Sequence, residues 1–308
     1  MTKLKTIDIV IPVYNDDSYL LDCIESLLSQ ELPNNWSMSV FVVDDGSSKP
    51  IRLKENGNIK KWTSLIRHPV NKGRSAACNT GVSAGSSEYI YILDSDCVLR
   101  ERHVLSQHIN KLTKEGFDIS CGNIFKHGDD FWARYQGEVA DKRARAYEMG
   151  MTVSFTTANC MISRDAFVDV GGFDDGFTKC GFEDRELLLR LYNKNFKIGH
   201  CQSGAVEHMC DLTLTDVAGK LYTGGAYSST RFIEKHLGYY KKMHFAKADV
   251  RFFKSLNILS LMTEPLTWPL IKGVDWAINK QFLPYFVEKA LVKSLSGLAY
   301  LHGTRKAI

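Results

Sequence analysis

Hydrophobic positions occur along this chain in short runs separated by polar, glycine-bearing loops, and the runs alternate in character. Ile7 to Val13 is β-branched and almost wholly apolar, as a strand covered on both faces must be. Asn15-Asp16-Asp17-Ser18 then offers helix-capping side chains, and Leu20, Ile24, Leu27 and Leu28 return at helical spacing until Pro33. Val40 to Val43 reads as a second buried strand and Leu65-Ile66 as a short third. Ser75 to Ala84 is a helix of small residues, and Tyr89 to Leu93 is a further apolar strand. Strand, helix, strand, loop, helix, strand is the order of a parallel sheet with helices on its faces.

The periodicity is weaker from about Ile119 to Gly150, where Lys126 to Tyr147 reads as an exposed helix rich in charge and aromatics. Val153 to Ile162 resumes a strand pattern, and Asp165 to Gly172 is a short helix ending in Gly-Gly. Glu183 to Phe196 is a helix whose apolar stripe is Leu187, Leu188, Leu191 and Tyr192. Ile198 to His208 reads as a last strand. Beyond Thr230 the character changes. Tyr239 to Lys254 mixes basic residues with aromatics, and Leu256 to Ile271 is apolar but interrupted by Glu264, Pro265 and Pro269, a poor membrane span. Phe282 to Leu301 sets Val287, Leu291, Leu295 and Leu298 on one side of a helix. Two readings stay open here: docking in the plane of a membrane, or a helical subdomain packed on the body.

Charge sharpens that choice. The 308 residues carry a net +4, but Arg231 to Ile308 holds 13 Lys/Arg against 5 Asp/Glu, a net +8 that leaves about −4 on residues 1–230. Such asymmetry suggests an anionic membrane surface as partner, with no nucleic acid expected. The eight cysteines form no C-x-x-C and read as free thiols of a reducing compartment. Met1 to Lys5 runs straight into the first strand and leaves no room for a signal peptide. The expected location is cytoplasmic, peripheral at the inner face of the cell membrane.

Four stretches carry candidate chemistry. Asp94-Ser95-Asp96 ends an apolar strand, at the sheet edge where open α/β folds bind ligands. Two crowded carboxylates repel unless a proton or cation intervenes, and Mg²⁺ or Mn²⁺ holding a diphosphate is the usual resolution. Alone, the pair is more often a solvated turn. Asp44-Asp45-Gly46-Ser47 ends the second strand; a carboxylate there can accept the N3–H of uracil, although the motif is also simply a good turn. Asn71-Lys72-Gly73-Arg74, leading to Asn79, is a basic Gly-containing loop at a helix N-terminus, suited to a phosphate or to solvent. Gly181-Phe182-Glu183-Asp184 opens a helix, where the dipole favours acids in any case.

Taken in order, IDIVIPVYN, VVDDGS, NKGRSAACNTG, EYIYILDSDC, GGFDDGF and GFEDRELLLRL resemble glycosyltransferase family 2 over roughly Thr6 to Cys210. The resemblance implies an α/β GT-A fold: a Rossmann-like, mostly parallel sheet with helices on both faces, here followed by a C-terminal helical extension. It implies a catalytic domain over 1–230, with a nucleotide-sugar half to about residue 100 and an acceptor half after it, and a basic amphipathic region over 231–308. Pro12, Tyr14 and Asp44 would form the nucleobase pocket with Asp45 close by, while Asn71, Gly73, Arg74 and Asn79 would line the nucleoside and diphosphate side. Asp96 would hold the metal, Mn²⁺ or Mg²⁺, with Asp94 as a further ligand that lies nearer the ribose, and Ser95 would be on the nucleotide-sugar side. His208 matches a further metal ligand of many GT-A enzymes, or is an ordinary strand-end histidine. Asp184 would be the general base and Glu183 would orient the acceptor hydroxyl. Phe173 and Phe177 could stack on a sugar or pack beneath their loop. Gly224-Gly225 and Arg231 match a mobile segment too weakly to be carried over.

The implied activity is inverting transfer of a sugar from a nucleotide-sugar, a UDP-sugar by family habit. The acceptor would be a glycan or lipid-linked saccharide in surface-polysaccharide synthesis. A sugar-nucleotide pyrophosphorylase would need a Gly-rich basic loop after the first strand, where Pro12-Val13-Tyr14-Asn15 stands, and a dinucleotide oxidoreductase would need G-x-G-x-x-G there. A non-catalytic glycan- or nucleotide-binding protein would be expected to have lost one of the acids at 94, 96, 183 or 184, and all four are present. Zinc on His200, Cys201, His208 and Cys210 fits no structural spacing.

Overall fold

The computed structural model describes residues 4–53 and 57–308. The reading that leaves no room for a leader rests partly on Met1 to Lys3, which lie outside them. Strands β1 (Lys5–Val13), β2 (Trp36–Asp44), β3 (Thr63–Arg67), β4 (Tyr89–Leu93), β5 (Cys97–Val98), β6 (Ile119–Phe125), β7 (Asn159–Ser163) and β8 (Ile198–His208) form one sheet in the order β3-β2-β1-β4-β7-β6-β8-β5. From β3 to β4 every pairing is parallel. Beyond β4 the sheet is mixed: β7 runs antiparallel to β4 and β6, β8 is parallel to β6, and β5 antiparallel to β8. Chain order reverses beside β1, which lies between β2 and β4, and a crevice at such a reversal is where α/β sheets bind ligands.

The helices of this part are α1 (Leu20–Leu28), α2 (Gly57–Trp62), α3 (Arg74–Ala84), α4 (Val104–Thr113), α5 (Phe131–Glu148), α6 (Arg164–Asp169) and α7 (Glu183–Asn193). β1 explains why helices cover both faces. Ile7, Ile9, Ile11 and Val13 point one way, into a core shared with Leu20, Ile24 and Leu27 of α1 and with Val104, Leu105 and Ile109 of α4. Each such side chain, fully buried, contributes about 1.5–3 kcal/mol. Val10 points the other way, against α3. There a Cβ on Gly81 would lie 2.4 Å from Val10 Cγ1 and 3.2 Å from Val43 Cγ2, so the small residues of α3 are what let it seat closely on the sheet.

Several local expectations differ from what forms. Helix α1 is capped by Tyr19 with no side-chain cap; Asp16 instead accepts from Ser18 N at 3.1 Å, and Asn15 is left-handed (φ 59°) and accepts from Ser48 N at 2.8 Å. β7 is confined to Asn159–Ser163, so Phe155 to Ala158 is free to be a loop. On α7 the buried leucines are 187, 188, 189 and 191, while Tyr192 is exposed. β5 is too short, at two residues, for periodicity to reveal, whereas α4 does carry helical spacing at Val104, Leu105, His108, Ile109 and Leu112 and is an element the expectations above lack.

By compactness the chain divides into this α/β unit (to Gly128, then Gln136–Asp175 and Asp184–Cys210) and a helical unit (Asp129–Tyr135, Gly176–Glu183 and Asp211–Ile308). The helical unit contains α8 (Leu214–Thr223), α9 (Ser229–Tyr240), α10 (Ser255–Asn279) and α11 (Tyr285–Lys306), with a π-helical turn over Gly224–Ser228. Gly224 and Gly225 are buried in that turn, against α11 in the case of Gly225. Helix α10 runs unbroken through Pro265 and Pro269. An interior proline removes a backbone bond, but here packing holds the helix. Ile271, Val274 and Ile278 share a core with Val292, Leu295 and Ala299, and His302 bonds both Ser260 (2.8 Å) and Thr267 (2.9 Å).

Candidate active site

The loops after β1, β2 and β4 lie on the carboxyl edge of the parallel strands. Register sets Val13 beside Asp44, so Tyr14, exposed, and Pro12, half-buried, flank the Asp44-Asp45 turn. Asp44 is buried. Its carboxylate accepts from Ser47 N at 2.8 Å, Ile51 N at 3.2 Å and the Arg67 guanidinium. Burial alone would raise its pKa, but the Ser47 hydroxyl and amide, the Ile51 amide and Arg67 outweigh that and hold it below the ordinary value. With about four lone-pair positions on a carboxylate, these partners leave Asp44 little further accepting capacity. Arg67 was not singled out in the sequence, because nothing local marks an edge-strand arginine as facing a buried acid.

Asp45 takes a different part from a ligand-facing one. It is buried and bonds His68 Nδ1 at 2.7 Å, Lys72 N at 2.9 Å and Gly73 N at 2.8 Å, while His68 Nε2 meets Thr80 Oγ1 at 2.9 Å. The amides just before α3, which the sequence offered to a phosphate, are thus occupied by Asp45 itself. A Cβ on Gly46 would lie 2.4 Å from Val70 C and 2.6 Å from Asn71 N, so only glycine lets the two loops lie so close. Asn71 is exposed beside this turn.

Asn79 is held by the loop that follows α6. Its side chain accepts from Phe173 N (2.9 Å) and donates to Phe173 O (2.9 Å) and Asp175 Oδ1 (2.6 Å), because one turn and more along α3 the helix faces the Gly171-Gly172-Phe173 loop. Phe173 and Phe177 are both buried, so of the two readings they pack beneath their loops and present no ring face to a sugar. Phe173 meets Phe167 at 5.9 Å, and Phe177 lies 5.9 Å under the Arg231 guanidinium.

The decisive juxtaposition is around Arg74. Its guanidinium donates to Asp94 Oδ1 at 2.7 and 3.1 Å, to Asp184 Oδ1 at 2.8 Å and to Thr157 Oγ1 at 3.0 Å. Asp184 also accepts from Thr156 Oγ1 at 2.6 Å and from the Thr157 hydroxyl. These two threonines come from the loop left by the shortening of β7, and Asp94 N donates to Ala158 O at 3.1 Å beside them. Reading that loop as strand is what hid them. Burial pushes the Asp184 pKa up, but Arg74 and the two threonines overcompensate and hold it below the usual carboxylate range. Asp94 goes the other way: burial dominates, Arg74 opposes it, and Asp96 and Asp184 add repulsion, so its pKa is raised.

Asp96 faces His208, with Oδ2 3.2 Å from Nε2. The two-residue β5 makes this contact, since Cys97 pairs with His208 and Met209 N donates to Asp96 O at 2.8 Å. Ser95 lies half-buried between the acids and Glu183 is buried. All eight cysteines are free thiols; Cys121 and Cys160, paired across β6 and β7, keep 3.4 Å between sulfurs.

A family model described as glycosyl transferase family 2 matches residues 8–171, just over half of the chain, which includes Asp44, Arg74, Asp94 and Asp96 but not Asp184 or His208. The chain belongs to that family. Within the glycosyltransferase, residues 141–212 also match a model described as the N-terminal domain of galactosyltransferase. A pre-mycofactocin glycosyltransferase of Mycobacterium tuberculosis is 28% identical over 231 residues, covering 72% of this chain and 47% of its own. Glycosyltransferase GlyG of Streptococcus pneumoniae serotype 4 is 27% identical over 201 residues, covering 60% of this chain and 64% of its own. The chain thus spans about half to two thirds of the length of these relatives. A mannosyltransferase from Pyrobaculum calidifontis, solved with GDP-Man and Mn²⁺, superposes with a TM-score of 0.58 at 15% identity, covering 97% of this chain and 87% of that one. The fold is GT-A, and the family to which the chain belongs is one of glycosyltransferases.

Do the residues of this glycosyltransferase fit a divalent ion? Among the described residues no group of three or more His, Cys, Asp or Glu side chains is gathered to hold one alone. Mg²⁺ and Mn²⁺ sites that serve diphosphates need less, typically one or two carboxylates with the remaining positions filled by phosphate oxygens and water. Asp96 with the Nε2 side of His208 meets that requirement, and Asp94, separated from Asp96 by Ser95, has its carboxylate turned to Arg74.

Proposed function

We propose that this glycosyltransferase transfers a sugar with inversion from a nucleotide-sugar, a UDP-sugar, to a hydroxyl of a glycan or lipid-linked saccharide in surface-polysaccharide synthesis. One observation carries the reading: Arg74 joins Asp94 to Asp184, with Asp96 and His208 alongside, at the carboxyl edge of the sheet. Single displacement needs a base on the acceptor side and a cation on the leaving-group side. Asp184 is the base and takes the proton of the attacking hydroxyl as the anomeric bond forms. Its lowered pKa makes it a weak one, so the proton moves late, once the sugar's cationic character has acidified the hydroxyl. Glu183 orients that hydroxyl.

Asp96 and His208 would hold Mn²⁺ or Mg²⁺, which when bound would neutralise the charge developing on the departing nucleoside diphosphate. Arg74 is the chain's own cation at this place. With a diphosphate present, its guanidinium has a stronger anion to face than the two aspartates, and turning to it would release Asp184 for proton transfer. Tyr14, Pro12 and Asp44 border the nucleobase, and Asn71 the nucleoside. The acceptor is met at an anionic membrane surface, the inner face of the cell membrane, a reading supported by the net +8 of residues 231–308. No helix among the described residues is long and apolar enough to cross a bilayer.

A thermal-shift panel of UDP- and GDP-sugars with and without Mn²⁺ tests the donor, because a ligand that binds the native state raises Tm. Stabilisation by a UDP-sugar only when Mn²⁺ is present is expected. Stabilisation by a GDP-sugar alone would replace the donor assignment, and metal-independent binding would remove the role given to Asp96 and His208.

A further inference from the structure

Over Ile258–Leu270 helix α10 presents an outer face with no polar residue on it. Ile258 (65% exposed), Met262 (72%), Leu266 (63%) and Leu270 (53%) recur every four residues, and Leu259, Leu261, Pro265 and Pro269 fill the intervals. At 1.5 Å per residue the apolar stripe from Ile258 to Leu270 is about 18 Å long, and exposed Lys272 stands between it and Trp276. Exposed Trp276 and Phe282, whose rings are 6.3 Å apart, and exposed Phe286 extend it beyond the end of the helix. A contiguous apolar strip of this kind is not left in water without a partner.

The opposite face of α10 is already engaged. Ser260 and Thr267 bond His302, Glu264 pairs with Arg305, and Asp275 accepts from Leu214 N and Thr215 N. The helix can therefore lie on a surface but cannot leave its unit to span one.

Charge selects the partner. Between residues 241 and 308 the four acids are Asp249, Glu264, Asp275 and Glu288, and none is an exposed residue; Asp249 is held by Arg251 and Glu288 is buried. The exposed charges there are all lysines, including Lys254, Lys272 and Lys280 before, within and after α10. A purely apolar strip with aromatic residues at one end and only cations around it matches a lipid interface bearing negative headgroups. We propose that the outer face of α10, with Trp276, Phe282 and Phe286, is an in-plane docking surface for an anionic bilayer, seated at headgroup depth. The proposal specifies the membrane part of the preceding reading and uses none of the residues assigned to sugar transfer.

Flotation of the full chain with vesicles of phosphatidylcholine, with and without 30% phosphatidylglycerol (about a third anionic, in the range where surface charge attracts basic proteins), tests it together with Met262→Glu/Leu266→Glu. The wild type is expected to float with the anionic vesicles at low salt and to be released by salt. The variant should bind roughly tenfold less or worse, with an unchanged Tm shift on adding donor, since both side chains are exposed. Lys272→Glu/Lys280→Glu should weaken binding to anionic vesicles only. A wild type that does not float removes the membrane reading altogether. A wild type that floats with a variant that floats equally keeps the membrane and overturns this face. A wild-type dimer in sedimentation that the Met262→Glu/Leu266→Glu change dissociates, with vesicle binding intact, gives the face to a second copy and likewise overturns the proposal.

Discussion

The α/β unit holds two arginine–carboxylate clusters on one sheet, and they are built to opposite ends. Near the amino end of β1, Asp8 is buried and accepts from Ser87 N (2.8 Å), Ser87 Oγ (2.6 Å) and Arg164 (2.6 Å). Arg164 in turn donates to Ser87 O and to Val82 O at 2.9 Å. One acid meets one cation, and every remaining polar atom has a backbone or hydroxyl partner. At the carboxyl edge, one arginine serves Asp94 and Asp184 while Asp96 stands near enough to raise the Asp94 pKa. A closed cluster of the first kind locks the fold. An acid-rich cluster of the second kind has room for another cation, which is what a site for a metal-bound diphosphate requires.

Breaking each cluster separately should separate activity from stability. Asp184→Asn is expected to lower kcat by 10²–10⁴-fold, the range of a general base, while donor-induced stabilisation in a thermal shift persists; unchanged turnover would remove Asp184 from the role. Asp8→Ala should do the reverse. It leaves the Ser87 amide and hydroxyl without their acceptor and half-buried Arg164 without its acid, at about 1–3 kcal/mol, read as a fall in the urea midpoint, with kcat per folded molecule preserved.

Smaller perturbations sharpen the contrast. His208→Ala should raise the Mn²⁺ concentration for half-maximal activity by roughly 10–100-fold, the scale on which metal sites respond to lost support, and no change would return His208 to an ordinary strand-end residue. Arg74→Met removes the largest of the contributions that hold the Asp184 pKa down. The base must be ionised, so the acid limb of the kcat/KM profile should move to higher pH; a limb that stays, or moves lower, would show that Arg74 does not set it. Asn79→Ala should cost about 1 kcal/mol of stability and leave donor affinity unchanged. Loss of donor binding there would restore Asn79 to the nucleotide side.

The alternation of runs, the placement of Asp44, Asp94 and Asp184 at element ends, and the order of the motifs were legible because strand and helix periodicity are local properties. Asp45 and Asn79 could not be assigned from the sequence, since whether a polar side chain at an element end faces a ligand or a neighbouring loop depends on which loop is packed beside it. Thr156 and Thr157 were hidden by a strand that stops early. The pairing of Asp96 with His208 depends on β5, two residues long, which only its ladder with β8 reveals.

By itself the sequence determined the sheet-and-helix body, the family and the acid-rich edge, because apolar spacing and motif order are written along the chain. Only the tertiary structure decided how those acids divide. It took Asp45 and Asn79 into the scaffold, joined Asp94 to Asp184 through Arg74, and turned one face of a proline-containing helix outward. Those outcomes depend on packing between segments far apart in sequence, where a side chain's partner is set by the fold and not by its neighbours.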